Sequence, residues 1–150
     1  RCAIVTGVQT CALPIWMRVL VVEDDHVSEA IITAFLPESA EVEVVDNGTD
    51  AIEIHARALD DQHGFDLICL DVMLPGVDGA AVLRNIRDKE AAVGLPEDAR
   101  AKVIMTTSVA ERATVLEILQ TGCDGYLVKP YDKTRLLEEL ERLALIPNIP

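Results

Sequence analysis

Two apolar runs in this chain end on carboxylates, and chemistry can start where they do. Leu67-Ile68-Cys69-Leu70 runs directly into Asp71, and Val19-Leu20-Val21-Val22 runs into Glu23-Asp24-Asp25. Four apolar residues in a row, bounded by turn formers, are too short for a helix and read as a fully buried strand. A charge at the end of such a strand is costly unless the strand opens there into a polar site. In open α/β sheets ligands sit at the carboxyl ends of strands. Two later runs, Lys102-Val103-Ile104-Met105-Thr106 and Tyr126-Leu127-Val128-Lys129, also read as strands, and they deliver Thr107 and Lys129 to the same kind of position.

Glu23, Asp24, Asp71, Thr107 and Lys129 therefore share one sheet edge. Three converging carboxylates repel unless a divalent cation sits among them, and Lys129 neutralises part of the charge. Magnesium suits such a set, because it takes hard oxygen ligands and uses one or two carboxylates together with phosphate oxygens. An Asp beside that ion can attack phosphorus to give an aspartyl phosphate, with the ion, an ammonium and a hydroxyl holding the transferred oxygens.

The elements that must position these groups follow in order from Met17. Strand 18–22 precedes a helix from His26 to Leu36, whose apolar side is formed by Val27, Ala30, Ile31, Ala34 and Phe35, and Pro37 stops it. Strand 41–45 alternates in polarity and so belongs nearer the sheet edge. Thr49 can cap a helix with Ala51, Ile52, Ile54, Ala58 and Leu59 on its apolar side, running to about Asp61. After the strand 67–71 and a loop, Asp78-Gly79 opens a helix carrying Ala81, Val82, Leu83 and Ile86 and ending near Val93-Gly94. Glu111 to Thr121 forms a helix closed by Gly122, and Lys133 to Leu145 a last one with a Leu136, Leu137, Leu140 and Leu143 stripe. Strand and helix alternate five times, which requires a parallel sheet with helices on both faces.

Four segments resemble the response-regulator receiver domains of two-component signalling: Val21-Val22-Glu23-Asp24-Asp25, Leu70 to Gly79, Val103 to Ser108, and Gly125 to Pro130. The resemblance covers Met17 to about Leu145. It implies a flavodoxin-like doubly wound α/β fold with five strands in the order 2-1-3-4-5 and five helices. By position it makes Asp71 the phosphoacceptor, Glu23 and Asp24 the acidic pair, and Lys129 the phosphate-contacting lysine. Asp24, Asp71 and the backbone carbonyl of Met73 would ligate Mg2+. The switch hydroxyl falls on Thr106 or Thr107; Thr107 directly precedes the small Ser108, and neighbours on a strand face opposite ways, so Thr107 is preferred. Tyr126 is then the aromatic that turns inward with it, and Lys129-Pro130 a cis peptide. Met73 and Val109, two residues past the acceptor and the switch threonine, are apolar, which implies slow self-dephosphorylation.

The same resemblance implies a switch that is not an enzyme beyond its own phosphorylation and dephosphorylation; the short stretch after Leu145, too little for an output domain, makes a stand-alone one the expectation, and cysteines without disulfide spacing fit the cytoplasm. It would be charged by a histidine kinase or a histidine phosphotransfer protein. It would signal to a downstream protein through the face of the fourth and fifth helices and fifth strand. Two alternatives stand beside this: a magnesium-dependent phosphohydrolase with an aspartyl nucleophile, and a fragment of a larger regulator or hybrid kinase. The hydrolase reading is weakened because such enzymes of the haloacid-dehalogenase type carry Asp-x-Asp after the first strand.

Composition narrows the field further. A net charge of −13 and 3% aromatic residues argue against a nucleic-acid surface. No apolar run approaches the length of a membrane span. Residues 1–16 differ from the rest, and Val5 to Ile15 looks like the translation of a common DNA-sequencing adapter, so they read as a non-native extension. Residues 17–145 are then the domain and 146–150 a short tail. Asp25 reads as a helix cap beside the site, His26, His55 and His63 as solvated polar residues, and Cys69 and Cys123 as packing residues without disulfide spacing.

Overall fold

The structure is a computed structural model that describes residues 4–5, 8–9, 17–108 and 112–147. The element order is β1 (Arg18–Val22), α1 (His26–Phe35), β2 (Glu41–Val45), α2 (Gly48–Asp60), β3 (Leu67–Asp71), α3 (Gly79–Ala92), β4 (Lys102–Thr107), α4 (Arg112–Gln120), β5 (Gly125–Val128) and α5 (Lys133–Arg142). The strands form one parallel sheet in the order β2-β1-β3-β4-β5, as the flavodoxin-like reading requires. A separate two-stranded antiparallel ladder pairs Ile4–Val5 with Val8–Gln9. The rest of the proposed non-native extension and the end of the tail lie outside the described residues.

Side chains alternate across the sheet and feed two cores. Leu20, Val22, Ile68, Leu70, Val103 and Met105 pack under α2, α3 and α4. Val19, Val21, Leu67, Cys69, Ile104 and Leu127 pack under α1 and α5, which contribute Ile32, Leu136 and Leu140. All five residues of β3 are buried. At roughly 1.5 to 3 kcal/mol per fully buried aliphatic side chain, this central strand is held from both faces.

Three local readings are corrected. The apolar stripe expected to face the core on α1 faces solvent instead: Val27 is 67% and Ile31 41% exposed, and Ala30 and Ala34 are exposed as well. Ile32 and Leu36 are buried in their place, with Phe35 half-buried against the edge of the Tyr131 ring. Two overlapping stripes fit the helical period. The capped entry at Asp25 and the exit through Leu36 decide which one meets the sheet. The cap of α2 is Asn47, whose side chain accepts from the Asp50 N–H at 2.8 Å, while Thr49 lies inside the first turn. His55 is not solvated; it is buried at 1% exposure, whereas His26 and His63 are exposed.

Element ends shift slightly. α5 ends at Arg142, short of the expected Leu145, whereas α3 ends at Ala92 with Val93 as its cap, near the expected Val93-Gly94; the connection to β4 contains a short 3-10 turn, Glu97–Ala99. Asp25 does cap α1, accepting from Ser28 N at 3.0 Å and from its hydroxyl at 2.7 Å, bonds that hold the Asp25 carboxyl below its ordinary range. Cys69 is buried core and burial pushes its thiol up to about 12, while Cys123 is partly buried and also raised, chiefly by burial.

Candidate functional site

The carboxyl ends of β1, β3, β4 and β5 converge on one edge. Glu23 follows β1, and its backbone N donates to Val45 O at 3.0 Å, extending the sheet by one bond past the strand. Asp71 ends β3, and Val72 N donates to Thr106 O at 2.9 Å, so the backbone directly after Asp71 is tied to β4. Lys129 N donates to Thr107 O at 2.7 Å, which ties the lysine to the end of β4. The Lys129–Pro130 peptide is cis.

Ligand oxygens of Glu23, Asp24 and Asp71 all lie within 4.8 Å of one another. Glu23 and Asp71 are buried at 5% and 6% exposure, while Asp24 is exposed. The Lys129 ammonium bridges the two buried acids, at 2.7 Å from Glu23 Oε2 and 3.1 Å from Asp71 Oδ2. Burial pushes the Glu23 carboxyl up; the Lys129 bond opposes this and the neighbouring Asp71 adds to it, leaving Glu23 above its ordinary range. Burial pulls Lys129 down, but its bonds to Glu23 and Asp71 outweigh that and hold the ammonium above its usual value.

The donor set is all oxygen, and two of its members already share a cation. Three carboxylates against one ammonium leave two negative charges. A hard divalent cation matches both the charge and the ligand type, so the cluster could hold a metal.

Met73 N donates to Asp71 Oδ1 at 2.9 Å, which orients the carboxylate and places the Met73 backbone beside the cluster; its side chain is exposed. Thr106 and Thr107 are both buried; the ladder sets Thr106 beside Asp71 and Thr107 beside Val128. Tyr126 on β5 is partly buried against the α2–α3–α4 core and lines a cleft with Val128, Pro130 and Tyr131. Val109 lies outside the described residues.

A positioning residue escaped the sequence reading. Gly79 opens α3 under the site, and its N–H donates to Val72 O at 3.1 Å. A Cβ there would collide with the Asp71 carbonyl oxygen and stand 3.1 Å from Met105 Cε. Glycine therefore lets α3 seat against the Asp71 and Val72 backbone. The signal available in the sequence was the Asp78-Gly79 pair itself, read only as a helix start.

Among the described residues, no helix is long and apolar enough to cross a membrane. The family model described as the response regulator receiver domain matches residues 19–141. The chain is 30% identical over 129 residues to chemotaxis protein CheY-3 of Vibrio cholerae O395, covering 85% of this chain and 91% of that protein. It is 31% identical over 147 residues to probable histidine kinase 6 of Oryza sativa subsp. japonica, covering 89% of this chain but only 15% of the kinase. A solved structure of the receiver domain of the Pseudomonas aeruginosa sensor histidine kinase PA1611, with a magnesium ion coordinated in its active-site cleft, superposes with a TM-score of 0.69 at 30% identity, covering 84% of this chain and 95% of that one. With its motifs at the strand ends, its 2-1-3-4-5 sheet and this match along its length, the chain belongs to the response regulator receiver domain family.

Proposed function

We propose that this chain is a phosphorylation switch in which Asp71 accepts a phosphoryl group from a phosphohistidine on a histidine kinase or a phosphotransfer protein. The observation that carries the reading is the gathering of Asp71 with Glu23, Asp24 and Lys129 at the end of a fully buried strand. An Asp71 carboxylate oxygen attacks phosphorus, the phosphorus–nitrogen bond to the donor imidazole breaks, and the imidazole leaves with the electron pair. Glu23, Asp24, Asp71 and the Met73 carbonyl would hold Mg2+, which supplies charge neutralisation for the transferred oxygens. Lys129, already within hydrogen-bond reach of Asp71, contacts the incoming phosphoryl group.

Thr107 is the switch hydroxyl and Tyr126 its aromatic reporter. Phosphorylation biases two pre-existing conformations, and the face built from α4, β5 and α5 carries the result to a downstream protein. Leu116 and Leu119, exposed on α4, give that face apolar contact area. Residues 17–145 form the working unit, and it acts in the cytoplasm, where free Cys69 and Cys123 fit a reducing compartment. The chain's chemistry is confined to its own phosphorylation and dephosphorylation.

Incubation with Mg2+ and a small phosphodonor, read by intact mass, tests the centre of this reading. Wild type gains roughly 80 Da, one phosphoryl group on an aspartyl-phosphate mechanism, and Asp71→Asn gains nothing. An unmodified wild type, or an adduct that survives Asp71→Asn, overturns it.

A further inference from the structure

Arg100 and Lys102 meet at a cavity of 430 Å³ beside the amino-terminal ends of β4 and β5. Arg87 from α3, Glu97 from the 3-10 turn, Gly122 behind α4 and Asp124 before β5 also line it. Arg87 is fully engaged in the wall. Its Nη1 donates to Glu90 Oε1 at 2.7 Å and to Ala101 O at 2.8 Å, and its Nη2 donates to Asp124 Oδ2 at 2.9 Å. Asp124 Oδ2 accepts from Val103 N at 2.8 Å as well, so that carboxylate is held in place too.

Arg100 and Lys102 have no such partners. Arg100 Nε donates to Leu95 O at 3.1 Å, which anchors the guanidinium, but its two Nη groups and the Lys102 ammonium meet no acceptor among the described residues. Elsewhere the molecule does not leave such groups alone. Arg18, Arg87, Lys89 and Lys129 are half-buried like these two, and each makes an ion pair. Among the described residues, the half-buried cations without an ion pair are Arg100 and Lys102, and both line this cavity. Acid is not scarce, since the chain carries a net charge of −13. Glu97 stands on the same wall, yet it is exposed and pairs with neither cation.

Two neighbouring cations without partners suit an anion of two charges. A guanidinium presents parallel N–H donors that match the oxygens of a phosphate group, and an ammonium adds a compact point charge. A single carboxylate brings one charge, and a metal ion or an amine is repelled. A phosphate monoester carries close to two negative charges at neutral pH and three strong acceptor oxygens. The volume of 430 Å³ falls within the roughly 300 to 1,000 Å³ usual for small-molecule pockets, so room remains for whatever the phosphate is attached to.

We propose that this cavity binds a phosphate group, free or carried by a small molecule, with Arg100 Nη and Lys102 Nζ donating to its oxygens. It lies at the opposite end of the strands from Glu23, Asp24 and Asp71 and stands independently of the function proposed for them.

The test is a 1H–15N NMR titration of the full chain with inorganic phosphate, phenyl phosphate and benzoate, ionic strength being held constant with sodium chloride. Saturable shifts are expected at the Arg100, Lys102 and Gly122 amides. Shifts with both phosphates uphold the proposal and point to an ester; shifts with inorganic phosphate alone uphold it and point to the free ion. Benzoate, with one charge, binds at least about tenfold more weakly, the size of one lost charge-assisted hydrogen bond. Arg100→Gln and Lys102→Met each weaken phosphate by a similar factor, and neither strands an ion-pair partner in the fold. Glu97→Gln tightens phosphate severalfold by removing a nearby negative charge, a gain that damage to the fold does not produce. Absence of saturable shifts overturns the proposal. So do benzoate binding as tightly as phosphate, saturable shifts confined to the surroundings of Lys129, or undiminished binding to Arg100→Gln and Lys102→Met.

Discussion

Lys129 Nζ lies 3.1 Å from Asp71 Oδ2, although 58 residues separate the two in the chain. The ammonium thus serves as the resident cation of a cluster that a divalent ion would also enter. Replacing it should expose that competition. Lys129→Met is expected to bind Mg2+ about tenfold more tightly by calorimetry, the removal of a like charge from a partly solvated site being worth on the order of 1 kcal/mol. The same variant should be phosphorylated more slowly, since it lacks the contact proposed from Lys129 to the transferred group. Unchanged Mg2+ affinity would show that the two cations do not share the cluster.

Thr106 and Thr107 are both buried, so burial does not separate them. The choice of Thr107 predicts that Thr107→Val still gains the phosphoryl mass but loses the phosphorylation-dependent shift of the Tyr126 amide in NMR spectra. Thr106→Val should keep both. The reverse pattern would move the switch role to Thr106.

Met73 is 70% exposed and offers no group that could orient water beside the acceptor. Self-dephosphorylation is therefore expected to take minutes or longer, and Met73→Asn should speed it severalfold by supplying a polar group for the attacking water. Loss of the adduct followed by mass spectrometry checks both statements. A wild-type half-life of seconds would sink the first.

Glu139 on α5 is buried between Arg135 and Arg142, each 2.7 Å away, and Arg142 Nη2 also donates to Asp124 O at 2.6 Å. Burial raises the Glu139 carboxyl, but the two arginines outweigh it and leave the group below its ordinary range. A carboxylate depressed in the folded state stabilises fully above its unfolded value, about 4.3, and the contribution is lost as pH falls toward the folded value. Glu139→Gln should then cost about 1 to 3 kcal/mol in urea unfolding at pH 7 and markedly less at pH 3. The clamp also borders Gly125: a Cβ there would stand 2.6 Å from Glu139 Oε2 and 2.8 Å from Arg142 Nη2, so these two side-chain ends would have to shift to admit it.

Much of the acidic edge of the sheet was legible in the chain because its determinants are local. An apolar run that stops on Asp71 is a buried strand with a polar end whatever surrounds it, and the same holds for Val22 before Glu23. Once five strands alternate with five helices, parallel connection puts all the strand ends together. What stayed hidden was which face of a helix turns inward. On α1, Val27, Ala30 and Ile31 out-rank Ile32 as a stripe, yet Ile32 is the buried residue. On α2, Gly48, Ala51, His55 and Ala58 recur at three- and four-residue steps, and all four are buried. That spacing could have placed His55 inside, but its polarity argued for solvent.

The order of residue types along the chain by itself determined the alternation of strand and helix and the acidic strand ends at Glu23 and Asp71, since hydrophobic period and strand termini are properties of short segments. Only the tertiary structure decided that Lys129 bridges Glu23 and Asp71, that Gly79 must lack a side chain, and that His55 is buried beside Glu90. Those relationships join segments far apart in sequence, and close packing, which fixes them, acts between surfaces that exist only after the chain has folded.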